Sequence, residues 1–281
     1  MLKQCSGRAL LIVLVSPAWV AIVLRSTASS VALRRCPLWT ALSALAALAL
    51  CAAPAAASDL PSPFLSGTFE MWSGGEGTRR AWSTYSGLTW SPFGKLATDG
   101  LRIRAAGGYG EYSYNGNADG IQQSIYGTAA FADLLVGYQM GLGPLTVKAF
   151  AGGNFDGHLL QPFDEANKVG APASGAKVVI EAWYNVTDRT WAQLDLSWAS
   201  AHGAYGGRLR AGYRVRQRML EDLSVGVEAG AFGNDGGDNG RVGAFLRYAW
   251  FGGEISASAG VSGAIEAPRN PYGTLVYLKR Y

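Results

Sequence analysis

Residues 241–250 alternate without a slip. Val242, Ala244, Leu246, Tyr248 and Trp250 fall on one side of an extended chain, and Arg241, Gly243, Phe245 and Arg247 on the other. Successive strand side chains point to opposite faces, so a two-residue period is the signature of a strand between two unlike surroundings. The pattern recurs. Tyr205, Leu209, Ala211, Tyr213 and Val215 oppose Arg208, Arg210 and Arg214. Leu223, Val225, Val227, Ala229 and Ala231 oppose Ser224, Gly226, Glu228 and Gly230, while Ile255, Ala257, Ala259 and Val261 oppose Glu254, Ser256, Ser258 and Gly260. One face is apolar throughout; the other holds glycine, serine and charges of both signs.

Twelve such segments are read, near 64–73, 79–91, 101–114, 121–140, 145–154, 174–185, 191–201, 205–215, 223–233, 241–250, 254–263 and 273–281. The fourth is long, with room for a bend at Gly127. Between them lie turn-type stretches: 74–77, 115–120, 141–144, 187–189, 234–240 and 251–253. Glycine, at 38 of 281 residues, is about twice as common as usual and speaks against a helical bundle, since each glycine weakens a helix interior by about 1 kcal/mol. An aromatic share of 11% and only 16% charged residues speak against a disordered chain.

A water-soluble sandwich also alternates, but its outer face carries many charges and its inner face bulky side chains. Here the apolar face mixes alanine with valine and leucine and places tyrosine and tryptophan near segment ends, which suits lipid contact between aromatic girdles. A segment of about ten residues matches one tilted membrane crossing. The fold expected is all-β: an antiparallel up-and-down barrel of outer-membrane type with about twelve strands. With the N-terminus on the periplasmic side, the longest connection, near 155–173, points outward with 234–240 and 264–272. The segment 92–100 is longer than the short periplasmic turns expected of such barrels. The chain stops on Tyr281, with Tyr277 on the same face, as in a terminal sorting strand.

Residues 1–57 are read as a leader and 58–281 as the barrel domain. Arg34 and Arg35, the apolar run 37–53 and Ala55-Ala56-Ala57 follow the order of a cleaved secretory signal, with Ser58 first in the mature chain. An earlier apolar stretch, 9–24, makes this leader long; a start at Val31 or Leu33 gives an ordinary length. That stretch is short for a helical anchor, and Cys51 fits a lipoprotein site except for Leu50 before it. The formal charge of +4 belongs to the leader, whose five basic residues meet no acid; nineteen basic and twenty acidic residues remain, so nothing points to nucleic acid. Cys5, Cys36 and Cys51 all lie in the leader, leaving the barrel without disulfides or a cysteine metal site. No metal site and no cofactor is expected.

Several segments carry a family resemblance: 99–102 with Gly107-Gly108-Tyr109-Gly110-Glu111-Tyr112, then 135–139, then Tyr205 with 208–214. The most specific is Gly226-Val227-Glu228-Ala229, then Gly233-Asn234-Asp235, then Arg241-Val242-Gly243-Ala244. In this order and spacing they resemble the alphaproteobacterial cellulose biosynthesis protein BcsS family, over nearly all of 64–263. The resemblance implies an exported, outer-membrane, non-enzymatic accessory of cellulose synthesis or export. Its partners would be lipid, cellulose or another glucan, and components of the secretion machinery. It carries over no catalytic or ligand residues. A small-solute channel and a purely structural partner of the machinery are the alternatives.

The lumen-facing charges expected are Arg104, Lys148, Glu181, Asp195, Arg208, Arg210, Arg214, Glu228 and Arg247, with Arg102, Lys177 and Glu254 beside them. They serve either a glucan-contacting lumen, with Trp72, Trp82, Trp183 and Trp198 as stacking platforms, or a plug of salt bridges with tryptophan in the girdle. The plug is favoured, because a barrel interior must be filled or wet whatever its function. His158 and His202 are read as solvated outer-loop residues; a Ser-His hydrolase built on His202 with Ser197 or Ser200 lacks an orienting carboxylate. The segment 234–240 lacks the closing glutamate of a calcium loop.

Overall fold

The computed structural model describes residues 11–15, 18–22 and 67–281, apart from 119, 165–166, 219–220 and 264–269. Leu11–Val15 and Ala18–Ile22 pair as a separate antiparallel ribbon. The expected cleavage site and the three cysteines lie outside the described residues.

Twelve strands follow: β1 (Phe69–Thr78), β2 (Ala81–Trp90), β3 (Gly100–Ala118), β4 (Ile121–Leu142), β5 (Leu145–Gln161), β6 (Ala173–Asn185), β7 (Thr190–Ala199), β8 (Tyr205–Arg218), β9 (Glu221–Asn234), β10 (Gly237–Trp250), β11 (Gly253–Gly263) and β12 (Asn270–Arg280). Each pairs with its sequence neighbours, and β12 closes the ring on β1 from Tyr272↔Thr78 to Arg280↔Glu70. The chain is therefore a closed antiparallel up-and-down barrel. Closure leaves no strand edge unpaired, which is what a sheet in hydrocarbon requires. Phe69 and Tyr281 lie together at one end, where both Thr68 and Phe69 N–H donate to the Tyr281 carbonyl. This is called the terminal end, and the other the far end.

The outward face explains why the ring closes around a polar inside. Leu134 is 64% exposed and Val227 62%, with Val136, Ile180, Leu196, Leu209, Val242 and Leu246 among many others also bare. Tyr138, Tyr184, Tyr213, Tyr248 and Tyr277 flank this band toward the terminal end, and Trp82, Tyr109, Trp198 and Tyr205 toward the far end. In water such a surface would drive aggregation; between two aromatic belts it is a lipid surface.

Four boundaries differ from the sequence reading. The first strand is 69–78 rather than 64–73, and Gly74 to Gly77 lie inside it instead of forming a turn. A Cβ on Gly74 would stand 2.4 Å from the Tyr85 hydroxyl oxygen, so this glycine makes room for a ring directly across the ladder. Gly127 likewise marks no break in β4, because the Tyr112 ring lies over it, 2.2 Å from where a Cβ would be. The stretch 234–240 is a tight hairpin, in which Gly236 N–H donates to Asn234 Oδ1 at 2.9 Å. The strands around 115–120 and 155–161 run further than expected, so β3, β4 and β5 project past the band at the far end. In that projection the outward residues are Glu111, Ser113, Asn115, Asn117, Gln122 and Ser124. Inside it Tyr112, Tyr114, Ile125, Ala129, Phe131 and Leu160 form an apolar cluster. The lumen is thus not ionic throughout: where the wall leaves lipid for water, the barrel turns its apolar side inward.

Candidate functional site: the barrel interior

All nine expected charges point inward, held there by the period-two pleat of β3 and β5 to β10. Inside a narrow barrel each must find a partner, since an unpaired buried charge is very costly. Three layers result. In the terminal half, Arg104 grips Glu181 through both nitrogens, at 2.7 and 3.1 Å, and lies over the Phe150 ring. Arg247 donates twice to Glu254 and once to Asp222, which also accepts from Arg214. Arg280 donates to Glu70 at 2.9 Å. Lys148 is looser, with its ammonium 4.0 Å from both Glu70 and Glu181.

In the middle layer Arg208 binds Asp195 at 2.6 and 3.0 Å. Glu228 is the hub. It accepts from Arg210 at 2.8 Å, Tyr272 at 2.8 Å and Ser258 at 3.2 Å, and stands 3.7 Å from Arg241. Arg241 donates to Glu76 at 2.8 Å. Above this, Lys177 and Asn154 both donate to Asp133 at 2.7 Å. Glu70, Glu76, Asp133, Asp222 and Arg241 were missed as site residues. Glu70 was hidden by the misplaced first strand, which read Glu76 as turn.

Arg241, Glu228, Glu76 and Tyr85 are each at most 5% exposed. Many middle-layer pairs join strands that are not neighbours, as Arg241 of β10 does with Glu76 of β1. They run across the lumen, and water has no open path at this level among the described residues. Glycine–aromatic packing completes the filling: Trp191 lies over Gly212, Phe245 over Gly226 and Phe131 over Gly108, each pair directly across the ladder.

Toward the terminal end a cavity of about 480 Å³ remains. Six cations (Arg104, Lys148, Arg208, Arg210, Arg247 and Arg280) and four carboxylates (Glu70, Glu181, Asp195 and Glu254) line it. Trp183 forms part of the wall, backed by Trp191 at 4.2 Å between ring centres. The β2–β3 connection, 91–99, which seemed long for a turn, folds over this cavity with Leu96 and Ala97 in its lining. Arg102, 1% exposed, pins it by donating to the carbonyls of Lys95, Leu96 and Thr98 and to Ser91 Oγ. Gln139 adds a bond to the Leu96 carbonyl at 2.9 Å.

The four tryptophans separate. Trp72 and Trp183 face inward, whereas Trp82 and Trp198 face the lipid side, Trp198 at 47% exposure. His158 is not a loop residue: it is 1% exposed inside β5. His202 does lie in the β7–β8 connection, on the short turn Ala201–Gly203. Among the described residues no hydrogen bond joins it to Ser197 or Ser200, and Ser200 Oγ instead accepts from Ala176 N–H.

The profile of the cellulose biosynthesis protein BcsS family matches residues 71–280. The chain belongs to this family. Its matched region begins and ends within the barrel, so family membership and barrel describe the same part of the BcsS-type chain. A comparison with curated proteins finds no match. Solved barrels resemble it at low identity. The KdgM porin in complex with disordered oligogalacturonate shares 11% identity at a TM-score of 0.43, over 75% of this chain and 99% of that one. The transport unit of the autotransporter AIDA-I from Escherichia coli shares 13% at 0.45, over 85% and 98%. An outer-membrane channel from Pseudomonas putida F1 shares 13% at 0.46, over 79% and 99%.

Proposed function

We propose that this BcsS-family barrel is a non-enzymatic outer-membrane accessory of cellulose biosynthesis that holds glucan at its terminal-end cavity and does not thread it. The observation that carries this reading is the combination of a blocked middle layer with an open polar cavity beneath it. A through-going channel needs a continuous wet path, and the buried ion pairs from Glu76 to Asp195 are not one. The cavity volume lies within the range of small-molecule sites. Its wall offers what a sugar needs: an aromatic face in Trp183 for the apolar C–H side of the ring, and Lys148, Gln193 and Glu181 for hydroxyls. Lys148, about a quarter exposed and without a close partner, is the side chain readiest to bind.

In this reading the mature chain is exported by its N-terminal signal, sits in outer-membrane lipid and presents the cavity to the periplasm, where secretion components meet it. The test is genetic and biochemical together. Deletion is expected to lower cellulose output while synthase levels hold. Wild-type complementation restores output, and Trp183→Ala, present at normal level in the outer membrane, does not. Purified protein should bind cello-oligosaccharides with quenching of tryptophan fluorescence. Normal cellulose in the deletion strain defeats the accessory role; full rescue by Trp183→Ala together with no oligosaccharide binding defeats the glucan contact and leaves a structural partner.

A further inference from the structure

The chain has two histidines, 44 positions apart, and the fold brings their rings to 5.9 Å at the far end of the barrel. His158 points inward from β5, and His202 reaches toward it from the β7–β8 turn. Asp156 sits one inward position along β5 from His158. Three buried atoms here make no hydrogen bond to protein: Asp156 Oδ1, His158 Nε2 and His202 Nε2. Buried polar atoms of this kind are rarely left without a ligand, water or ion.

The spacing is informative. Asp156 Oδ1 and His158 Nε2 are 3.4 Å apart and misaligned for a hydrogen bond. Two ligand atoms about 2.0–2.1 Å from one tetrahedral Zn²⁺ stand roughly 3.3 Å apart. The other nitrogen of His158 is already committed, sharing a 3.1 Å hydrogen bond with the Tyr112 hydroxyl. Metal-bound histidines use their second nitrogen in this way, which fixes the ring and leaves Nε2 free to coordinate. His202 is held at φ +55°, in the left-handed region unusual for a residue with a side chain, and its carbonyl accepts from Asp235 N–H in the next hairpin. Backbone outliers of this kind cluster at ligand sites.

We propose that Asp156, His158 and His202 form a divalent transition-metal site of the zinc class, with Tyr112 as the positioning residue behind His158. Among the described residues no three such side chains yet converge on one point. Asp156 and His158 are preset, and the His202 side chain turns to complete the set when metal enters. The role is mechanical: the ion staples the β7–β8 turn to the projecting wall of β5. The spacing in sequence concealed it, because the third ligand comes from a different hairpin.

Full-length protein, extracted from membranes in detergent and stripped with a chelator, is titrated with Zn²⁺ by calorimetry and with Co²⁺ by visible absorption. One metal per chain at micromolar or tighter affinity is expected, with a Co²⁺ spectrum of nitrogen and oxygen ligands at low coordination number. His158→Gln and His202→Gln should each weaken binding at least about tenfold, and Tyr112→Phe by about tenfold. Heat-dependent gel mobility checks that each variant is folded. Absence of binding by the wild-type chain overturns the site, as does equal binding by the wild type and both folded histidine variants.

Discussion

Arg241 of β10 reaches Glu76 of β1 at 2.8 Å across the barrel interior, with 165 residues and two intervening strands between them. Both side chains are at most 2% exposed. The pair is therefore part of the lumen's filling. Because Glu228 also faces Arg241, one guanidinium neutralises charge from two walls.

Arg241→Met strands Glu76 in a dry interior. The cost expected is ~3–5 kcal/mol, the range for removing one partner of a buried pair. Arg280→Met removes a pair whose arginine is 44% exposed at the mouth, where water screens the loss to under about 1 kcal/mol. Urea unfolding in detergent, followed by tryptophan fluorescence, should show a large midpoint change for the first and almost none for the second.

Conductance checks the same layer. Wild-type protein in planar bilayers is expected to be electrically silent. Shortening both partners in E76S/R241S removes the cross-lumen bridge and should add discrete conductance steps. Large, steady conductance from the wild type would contradict a blocked lumen.

Glycine–ring packing is tested at Gly127. A Cβ there would stand 2.2 Å from the Tyr112 ring, so Gly127→Ala should cost ~1–3 kcal/mol as an overpacking change. Gly153 faces outward with nothing within 4 Å of an added Cβ, and Gly153→Ala should be near neutral. Combining Gly127→Ala with Tyr112→Leu should recover part of the loss, because the two residues share one space. Unfolding midpoints of the four variants decide it.

The lipid band makes a depth-dependent prediction. Val227→Arg places charge at a position 62% exposed within the band, and should cost ~2–4 kcal/mol in bilayers. Asn115→Arg lies on the polar outside of the projecting β3–β4 hairpin and should cost less than about 1 kcal/mol. Equal effects at the two positions would place the band elsewhere.

Much of this architecture was legible in the residues. From 205 to 263 the two faces differ so sharply that strand limits read from alternation fall within a few residues of those found. The reading failed where glycine had two meanings. Gly74 to Gly77 look like a turn, yet they lie in a strand that packs against Tyr85, and treating them as a turn concealed Glu76. It failed again at the far ends of β3 to β5, where apolar residues turn inward and polar ones outward. There the alternation keeps its period but reverses its sense, so His158 seemed to belong to a loop.

The sequence by itself determined that this chain makes antiparallel strands with one lipid-type face, because a two-residue period is a local property of the backbone. Only the tertiary structure decided which charges meet. Ring closure sets β1 against β12 and fixes the stagger of every strand, and with it the partner that each inward arginine faces across the lumen. That same closure made the middle solid, left the cavity near the termini and brought two distant histidines together, none of which any single segment encodes.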